Sequence, residues 1–393
     1  MNAVGGREFA LLVACAAWPR SAARDADVRR ASTAPGLDWS NFLAAVRRHR
    51  MAALALDGLR CAGVAPGAGV DPQLRDLARR DVQDALRMVA EAERIRVLFA
   101  AADLPMAVVK GPVLSMLAYG EVGLRQCRDL DVLVTPADAP RALGLLEAAG
   151  YRRLSPPPAA AGDRMALWYR VQKDVELRHV ETGAAVELHH RLTLNPHLLR
   201  PLAPIDAVRR VEVAGVVLPT FGEADLFAYL CAHGAAHAWF RLKWLADVAA
   251  LLVGRPVEDI LRLYEAAEER GVARPAGQAL LLCQRFWGLP LPGELAERLR
   301  VDRKVVWLER LALGALAGPP LHERRLAGTG LHLAQLALRD GWAFRWAQVA
   351  ALLVDWPLVW AVALPKPLFF LYAVAKPPLW IWRTLGLPGG RRS

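Results

Sequence analysis

The sequence predicts an α+β fold in which a small sheet stands between two helical regions. Apolar residues recur at helical spacing through about residue 100, and short β-branched segments with period-two alternation follow up to about residue 220. From Glu223 onward helical spacing returns, broken at Gly254, at Gly288-Leu289-Pro290 and at Gly318-Pro319-Pro320. The 393 residues therefore divide into an N-terminal helical region (1–100), a sheet-bearing core (101–220) and a C-terminal helical region with an apolar, aromatic and basic tail (221–393). No internal repeat is present.

Phe9 to Trp18 reads as a core helix rather than a secretory leader, because Glu8 abuts it and no small-residue cleavage site follows. Asp38 supplies an N-cap before Phe42, Leu43 and Val46, and Leu74 to Phe99 carries apolar residues at helical spacing among many charges. Met106 to Val109 is a short strand. Lys110-Gly111-Pro112 then turns the chain into a helix through Leu114 and Leu117 to Gly120. A second strand, Leu130 to Val134, ends at Thr135-Pro136, and a helix from Ala139 to Ala149 stops at Gly150. Pro156 to Gly162 reads as a loop. Asp174–Val180 and Ala185–Leu192 flank Glu181-Thr182-Gly183-Ala184 as a β-hairpin, and Val211 to Leu218 is a last short strand.

Lys and Arg number 50 against 39 Asp and Glu, a net charge of +11 that attracts nucleotides, nucleic acid or anionic lipid without choosing among them. Nucleic acid gains no support from it, since the Ala, Gly, Leu and Arg richness is what a high-GC bacterial genome produces. Five scattered cysteines with no Cys-x-x-Cys pair exclude a disulfide framework and a thiolate zinc site, and fit the reducing cytoplasm. Val349 to Leu364 is apolar but interrupted by Asp355 and Pro357, and is shorter than the roughly 20 residues of a spanning helix. With Phe369, Phe370, Tyr372, Lys376, Trp380, Trp382, Arg391 and Arg392, residues 349–393 suit a peripheral membrane contact. A helical pair packed on the protein explains the same pattern.

Chemistry concentrates between residues 110 and 190. Asp129 and Asp131 lie two apart at the head of a β-branched run, so both project from one face of a strand. Val186-Glu187-Leu188 repeats the apolar, acid, apolar pattern, and if its strand lies beside the first, three carboxylates converge. Hard oxygen ligands of this kind select Mg2+ or Mn2+, and two such ions can serve an in-line displacement at phosphorus. The amides at Gly111 and the following helix start favour an anion, Lys110 adds a charge for a triphosphate, and Arg125 can clamp a phosphate or fix Asp129. A lone Asp-x-Asp is also what an edge strand shows to water; the joint pattern is what points to nucleotide transfer.

The run Val109-Lys-Gly-Pro112, then Arg125-x-x-x-Asp129-Leu-Asp131-Val-Leu-Val134, then Val186-Glu-Leu-His189-His-Arg-Leu192, resembles a bacterial nucleotidyltransferase family usually labelled uncharacterised, within the polymerase-beta-like superfamily. Leu37-Asp38-Trp39 with Arg47 to Met51, and His233 to Asp247, resemble its N-terminal helical portion and a C-terminal helix. The resemblance implies a small mixed nucleotidyltransferase sheet flanked by helices. It also implies a metal pair on Asp129 and Asp131, a third acid at Glu187, and a nucleotide turn at Lys110 and Gly111. Pro112 departs from the superfamily pattern, in which Gly or Ser follows the glycine, and removes one amide donor.

His233 and His237 share one helical face at a spacing that can bind zinc given a third ligand, can contact an acceptor or phosphate near Arg241 and Lys243, or can be packed histidines. His189 orients a ligand or is packed. Trp239 and Trp244 read as core. The function expected is transfer of a nucleoside monophosphate from an NTP, with release of pyrophosphate, to an acceptor hydroxyl of a small molecule, peptide or protein that nothing in the sequence identifies. A non-catalytic binding protein of the same fold docking at a membrane, and a protein-modifying enzyme of toxin–antitoxin type, are the alternatives.

Overall fold

The computed structural model describes residues 5–200, 209–318 and 327–384. The lead-in is helical: α1 (Arg7–Ala16), α2 (Ala22–Ser32), α3 (Trp39–His49), α4 (Ala52–Cys61) and the long α5 (Asp71–Ala100). α1 buries Phe9, Leu11, Leu12 and Cys15, as a core helix should. α3 begins where the Asp38 carboxylate accepts the Ser40 and Asn41 amides at 2.7 and 2.9 Å.

The core follows as β1 (Ala107–Val108), α6 (Gly111–Tyr119), β2 (Leu130–Leu133), α7 (Ala139–Ala148), β3 (Tyr151–Ser155), α8 (Gly162–Val171), β4 (Asp174–His179) and β5 (Ala185–His189). The strands form one mixed sheet in the order β1-β2-β5-β4-β3. β2 runs parallel to β5, and the other neighbours are antiparallel. Period-two alternation sorts its two faces. Leu130, Val132, Val175, Leu177, Val186 and Leu188 join Val89, Ala92, Ile95 and Phe99 of α5 in one apolar core. The opposite parity places Asp131, Asp174, Glu176, Glu187 and His189 on the other face. A slip of one residue between β2 and β5 would exchange the two sets.

The structure departs from the expected elements in five places, one of them α8, for which no element was expected. β2 begins at Leu130 as expected, but Asp129, expected to project from the same strand face as Asp131, therefore stands just ahead of the strand. β5 ends at His189 instead of reaching Leu192. Tyr151–Ser155 forms an additional edge strand, whose Arg153 caps the Pro-rich loop by donating to the Ala160 carbonyl at 3.2 Å. The single strand expected over Val211 to Leu218 is a hairpin, β6 (Arg209–Val213) and β7 (Val216–Thr220), turned by Ala214 and Gly215 at φ 50° and 82°.

Helices α9 (Glu223–Ala236), α10 (Leu242–Leu252), α11 (Val257–Glu269), α12 (Ala273–Trp287), α13 (Gly293–Val301) and α14 (Arg303–Ala317) follow. They share one hydrophobic core with α1, α3 and α4 through residues such as Leu12, Phe42, Leu54, Phe227, Leu245 and Leu280. The turn between α9 and α10 is tightly built. Any Cβ on Gly234 would lie 2.3 Å from the Trp239 ring, and the Trp239 indole donates to Gln278 at 3.1 Å.

The chain continues as α15 (Ala327–Ala337), α16 (Trp342–Leu353), α17 (Trp356–Ala361) and α18 (Phe370–Thr384). Asp355 breaks the apolar run by accepting the Leu358 amide at 3.0 Å. Trp356 and Trp360 pack on Trp168 of α8 at 4.6 and 5.8 Å between ring centres, and the Tyr372 hydroxyl donates to the Val362 carbonyl at 2.7 Å. This part of the tail is thus packed on the protein. Trp342 (79%), Trp346 and Phe370 nevertheless stay exposed. No helix among the described residues is long and apolar enough to cross a membrane. Arg391 and Arg392 lie outside the described residues.

Buried histidines with lowered pKa, His49 and His237 among them, make stability depend on pH. The His49 ring accepts the Leu242 amide at 3.0 Å, tying α3 to α10; burial, with Arg48 and Arg241, pushes its pKa down to about 3. Burial, with Lys110 and Lys173, pushes His237 down to about 4. Both rings are neutral when folded, whereas the unfolded chain takes up protons below pH about 6.5, so stability is full above that pH and falls as pH drops from about 6.5 toward 4. Each contributes at most about 1.4 kcal/mol per pH unit in that window. Denaturant unfolding at pH 7.5 and 5.5 is expected to show a loss of about 2 kcal/mol, smaller in His49→Gln; equal stability at the two pH values contradicts it.

Candidate functional site

The parallel pairing of β2 with β5 sets Asp131 opposite Glu187 and Leu133 opposite His189, and β4 sets Asp174 opposite His189 from the other side. The His189 Nε2 lies 3.1 Å from Asp131 Oδ1 and 3.2 Å from Glu187 Oε2. One ligand atom from each of these three residues falls within 4.8 Å of the others. Asp131 is 4% and His189 1% exposed, while the Glu187 side chain is 28% exposed, so the cluster opens to solvent on the Glu187 side.

Each group is electrostatically tuned. Burial opposes the charge on Asp131, but Lys110 at 3.1 Å and the His189 hydrogen bond hold its pKa well below the usual carboxylate range. Burial likewise opposes the charge of Lys110, and Asp131 with Glu187 overcomes it and raises its pKa. Lys173 pairs with Asp174 and stands 3.8 Å from Glu187. Burial and Lys173 lower His189, yet its bonds to Asp131 and Glu187 leave its pKa raised. The His189 Nδ1 faces the Arg191 carbonyl at 3.3 Å, and a carbonyl only accepts, so Nδ1 carries a proton. Nε2 faces two carboxylates, which also only accept, so without a cation the ring is protonated at both nitrogens, and Nε2 becomes a ligand only when a cation displaces its proton.

Lys110 follows β1 by two residues as the N-cap of α6, and Gly111 at φ +65° opens that helix, a left-handed start that only glycine takes without strain. Asp129 is half-buried one residue before β2 and is not one of the three converging ligands. Arg125 is not at the cluster. It is buried, and its Nε donates to Asp247 of α10 at 2.9 Å, where the Tyr119 hydroxyl also donates at 3.0 Å. His233 and His237 lie 4.8 Å apart, ring to ring, against Trp244 at 5.1 and 5.3 Å. No third metal ligand joins them among the described residues, and they pack beside Lys110. Trp239 is fully buried and Trp244 nearly so, as expected of core residues.

Several neighbours of this site have no local signature in the sequence. Lys110 lies 5.6 Å from the Tyr229 ring centre. Asp174 and Lys173 enter from β4, detectable only once the hairpin register is known. At the hairpin end of the sheet, Arg87, Arg94, Arg128 and Arg178 line a groove of about 730 Å³ between α5 and the β4–β5 turn.

A half-open cluster of two carboxylates and an imidazole, backed by lysines and an anion-favouring turn, can hold a divalent cation and a phosphate chain. Comparison with curated proteins and with solved structures gives no match. The model of the uncharacterised nucleotidyltransferases matches residues 35–288, well over half of the chain and all of the elements just described, and the chain belongs to that family of nucleotidyl-transferring enzymes.

Proposed function

We propose that this chain moves a nucleoside monophosphate from a nucleoside triphosphate to an acceptor hydroxyl, with Mg2+ or Mn2+ and release of pyrophosphate. The observation that supports it most is the convergence of Asp131, Glu187 and His189 on one small volume. The donor set suits either ion, and the imidazole favours Mn2+. When bound, such a cation neutralises the attacking oxygen and the leaving pyrophosphate. Asp131 and His189 would hold it, with Asp129 at the strand entrance as a further carboxylate. Lys110 and Lys173 already offset much of the local negative charge, so the cation is expected to arrive with the triphosphate.

Glu187, which opens to solvent where Asp131 is buried, accepts the proton of the acceptor hydroxyl as its oxygen bonds to the α-phosphorus and the bond to the pyrophosphate oxygen breaks. Lys110 and the Gly111 amide face the phosphates. Arg125, paired with Asp247, acts from a distance by holding the loop that leads into β2. The acceptor is approached from the open face, with its identity set by the surrounding grooves. Incubation with each α-labelled triphosphate, Mg2+ and a cell extract is expected to label one class of acceptor; no labelling with any triphosphate or either ion overturns the proposal.

Exposed Trp342, Trp346 and Phe370, with Arg345 and Lys366 nearby, favour a second reading in which the C-terminal helices also touch a membrane surface from the cytoplasmic side. Co-sedimentation with anionic liposomes tests it, with Trp342→Ser/Trp346→Ser expected to release the protein and unchanged binding opposing it.

A further inference from the structure

We propose that Arg50, Arg128 and Arg241 form the seat for the nucleotide's triphosphate, an inference that rests on the transfer reading above. The three come from separate segments: the end of α3, the loop entering β2 and the residue before α10. Two hydrogen bonds bring these segments together. The Leu242 amide donates to His49, so Arg241 and Arg50 are neighbours of bonded residues; the Lys243 ammonium donates to the Gln126 carbonyl at 3.3 Å, drawing the Arg128 loop to the same place.

Several other arginines that join segments are paired, as with Arg24–Asp57, Arg125–Asp247, Arg270–Asp225 and Arg285–Glu309. Among the described residues, none of Arg50, Arg128 and Arg241 makes an ion pair or side-chain hydrogen bond; Asp129 is the carboxylate that Arg50 and Arg241 sense. Arg241 lies against Phe240 and Trp244, 5.0 and 5.6 Å from their ring centres, which holds a guanidinium in place without neutralising it. Burial, with Arg50 and Arg128, pushes the Arg241 pKa down to about 10. Mutual repulsion of this kind is relieved by a multivalent anion.

The backbone is strained at the same place. Arg50, Ala238 and Trp239 adopt φ of 58°, 48° and 52°, a conformation that costs a non-glycine residue about 1 kcal/mol or more. Trp244 also packs on His233 and His237, and Lys110 and Arg241 both act on His237, so Arg241 and the Gly111 turn approach the same histidine. A phosphate chain reaching from the acid cluster would meet all three.

Calorimetric titration of the full-length protein with inorganic tripolyphosphate, without metal, tests this. Arg50→Gln and Arg241→Gln are each expected to weaken binding about tenfold or more, and Arg241→Lys to recover most of the loss, which separates lost charge from misfolding. Arg310→Gln, an equal charge loss on α14, is expected to change it less than about twofold. Absence of binding to the wild type, equal weakening by Arg310→Gln, or a greater dependence on Arg178 of the hairpin groove overturns the proposal. Arginine-dependent binding in a protein that transfers no nucleotide supports it while rejecting the transfer reading.

Discussion

Asp131→Asn is expected to lower nucleotidyl transfer by about a thousandfold or more while the protein remains folded. Asp131 is where the site's interactions meet: its Oδ1 receives both Lys110 and His189 at 3.1 Å, and Glu187 faces it across the parallel β2–β5 ladder. The amide keeps the shape and an oxygen that still accepts from Lys110, but removes the charge that a cation and the two bases share. Stability is expected to fall by about 1–3 kcal/mol, because a buried ammonium loses its counterion and retains a hydrogen bond. The check is transfer of labelled nucleotide well below the melting temperature, alongside a denaturation curve. Activity within tenfold of the wild type contradicts the assignment.

Arg125→Met is expected to have the largest effect on stability. Asp247 is 1% exposed, and the guanidinium at 2.9 Å is its charge partner; the Tyr119 hydroxyl alone does not neutralise it. Removing one member of such a pair leaves an uncompensated buried charge, at a cost of about 3–5 kcal/mol. The double variant Arg125→Met/Asp247→Leu removes both charges and is expected to regain most of that loss. Denaturant unfolding of the two variants decides the matter: a single variant within about 1 kcal/mol of the wild type is incompatible with a buried pair. The same pair joins α10 to the loop before β2, so the single variant is also expected to lose transfer through displacement of Asp129 and Asp131.

The parts of this site that were legible in the sequence obey short-range periodicities. Alternation in Leu130–Leu133 and Ala185–His189 predicted which side chains share a face, and the Glu181–Ala184 turn predicted that β4 and β5 pair; that β2 lies beside β5, which sets Asp131 opposite Glu187, was left as a condition because a parallel pairing has no local signature. The same alternation, carried two residues past Glu187, reaches His189, the third converging ligand. Asp129 is one residue outside the strand, and the period-two rule that pairs it with Asp131 holds only for residues inside one. β3 was masked by three arginine and serine positions in a five-residue segment beside Pro156, where packing of Tyr151 outweighs local preference. The β6–β7 turn was present as Ala214-Gly215 within an otherwise continuous run. Pairings such as Arg125 with Asp247, or the meeting of Arg50 with Arg241, join residues over a hundred positions apart and have no local signature.

Spectroscopic titration of Mn2+ in the presence of a non-hydrolysable nucleoside triphosphate tests the central claim most directly. The wild type is expected to retain Mn2+ with the analogue, Asp131→Asn to lose it, and His189→Gln to bind it at least about tenfold more weakly. Equal retention of Mn2+ by the wild type and Asp131→Asn would contradict the claim that these side chains hold the cation.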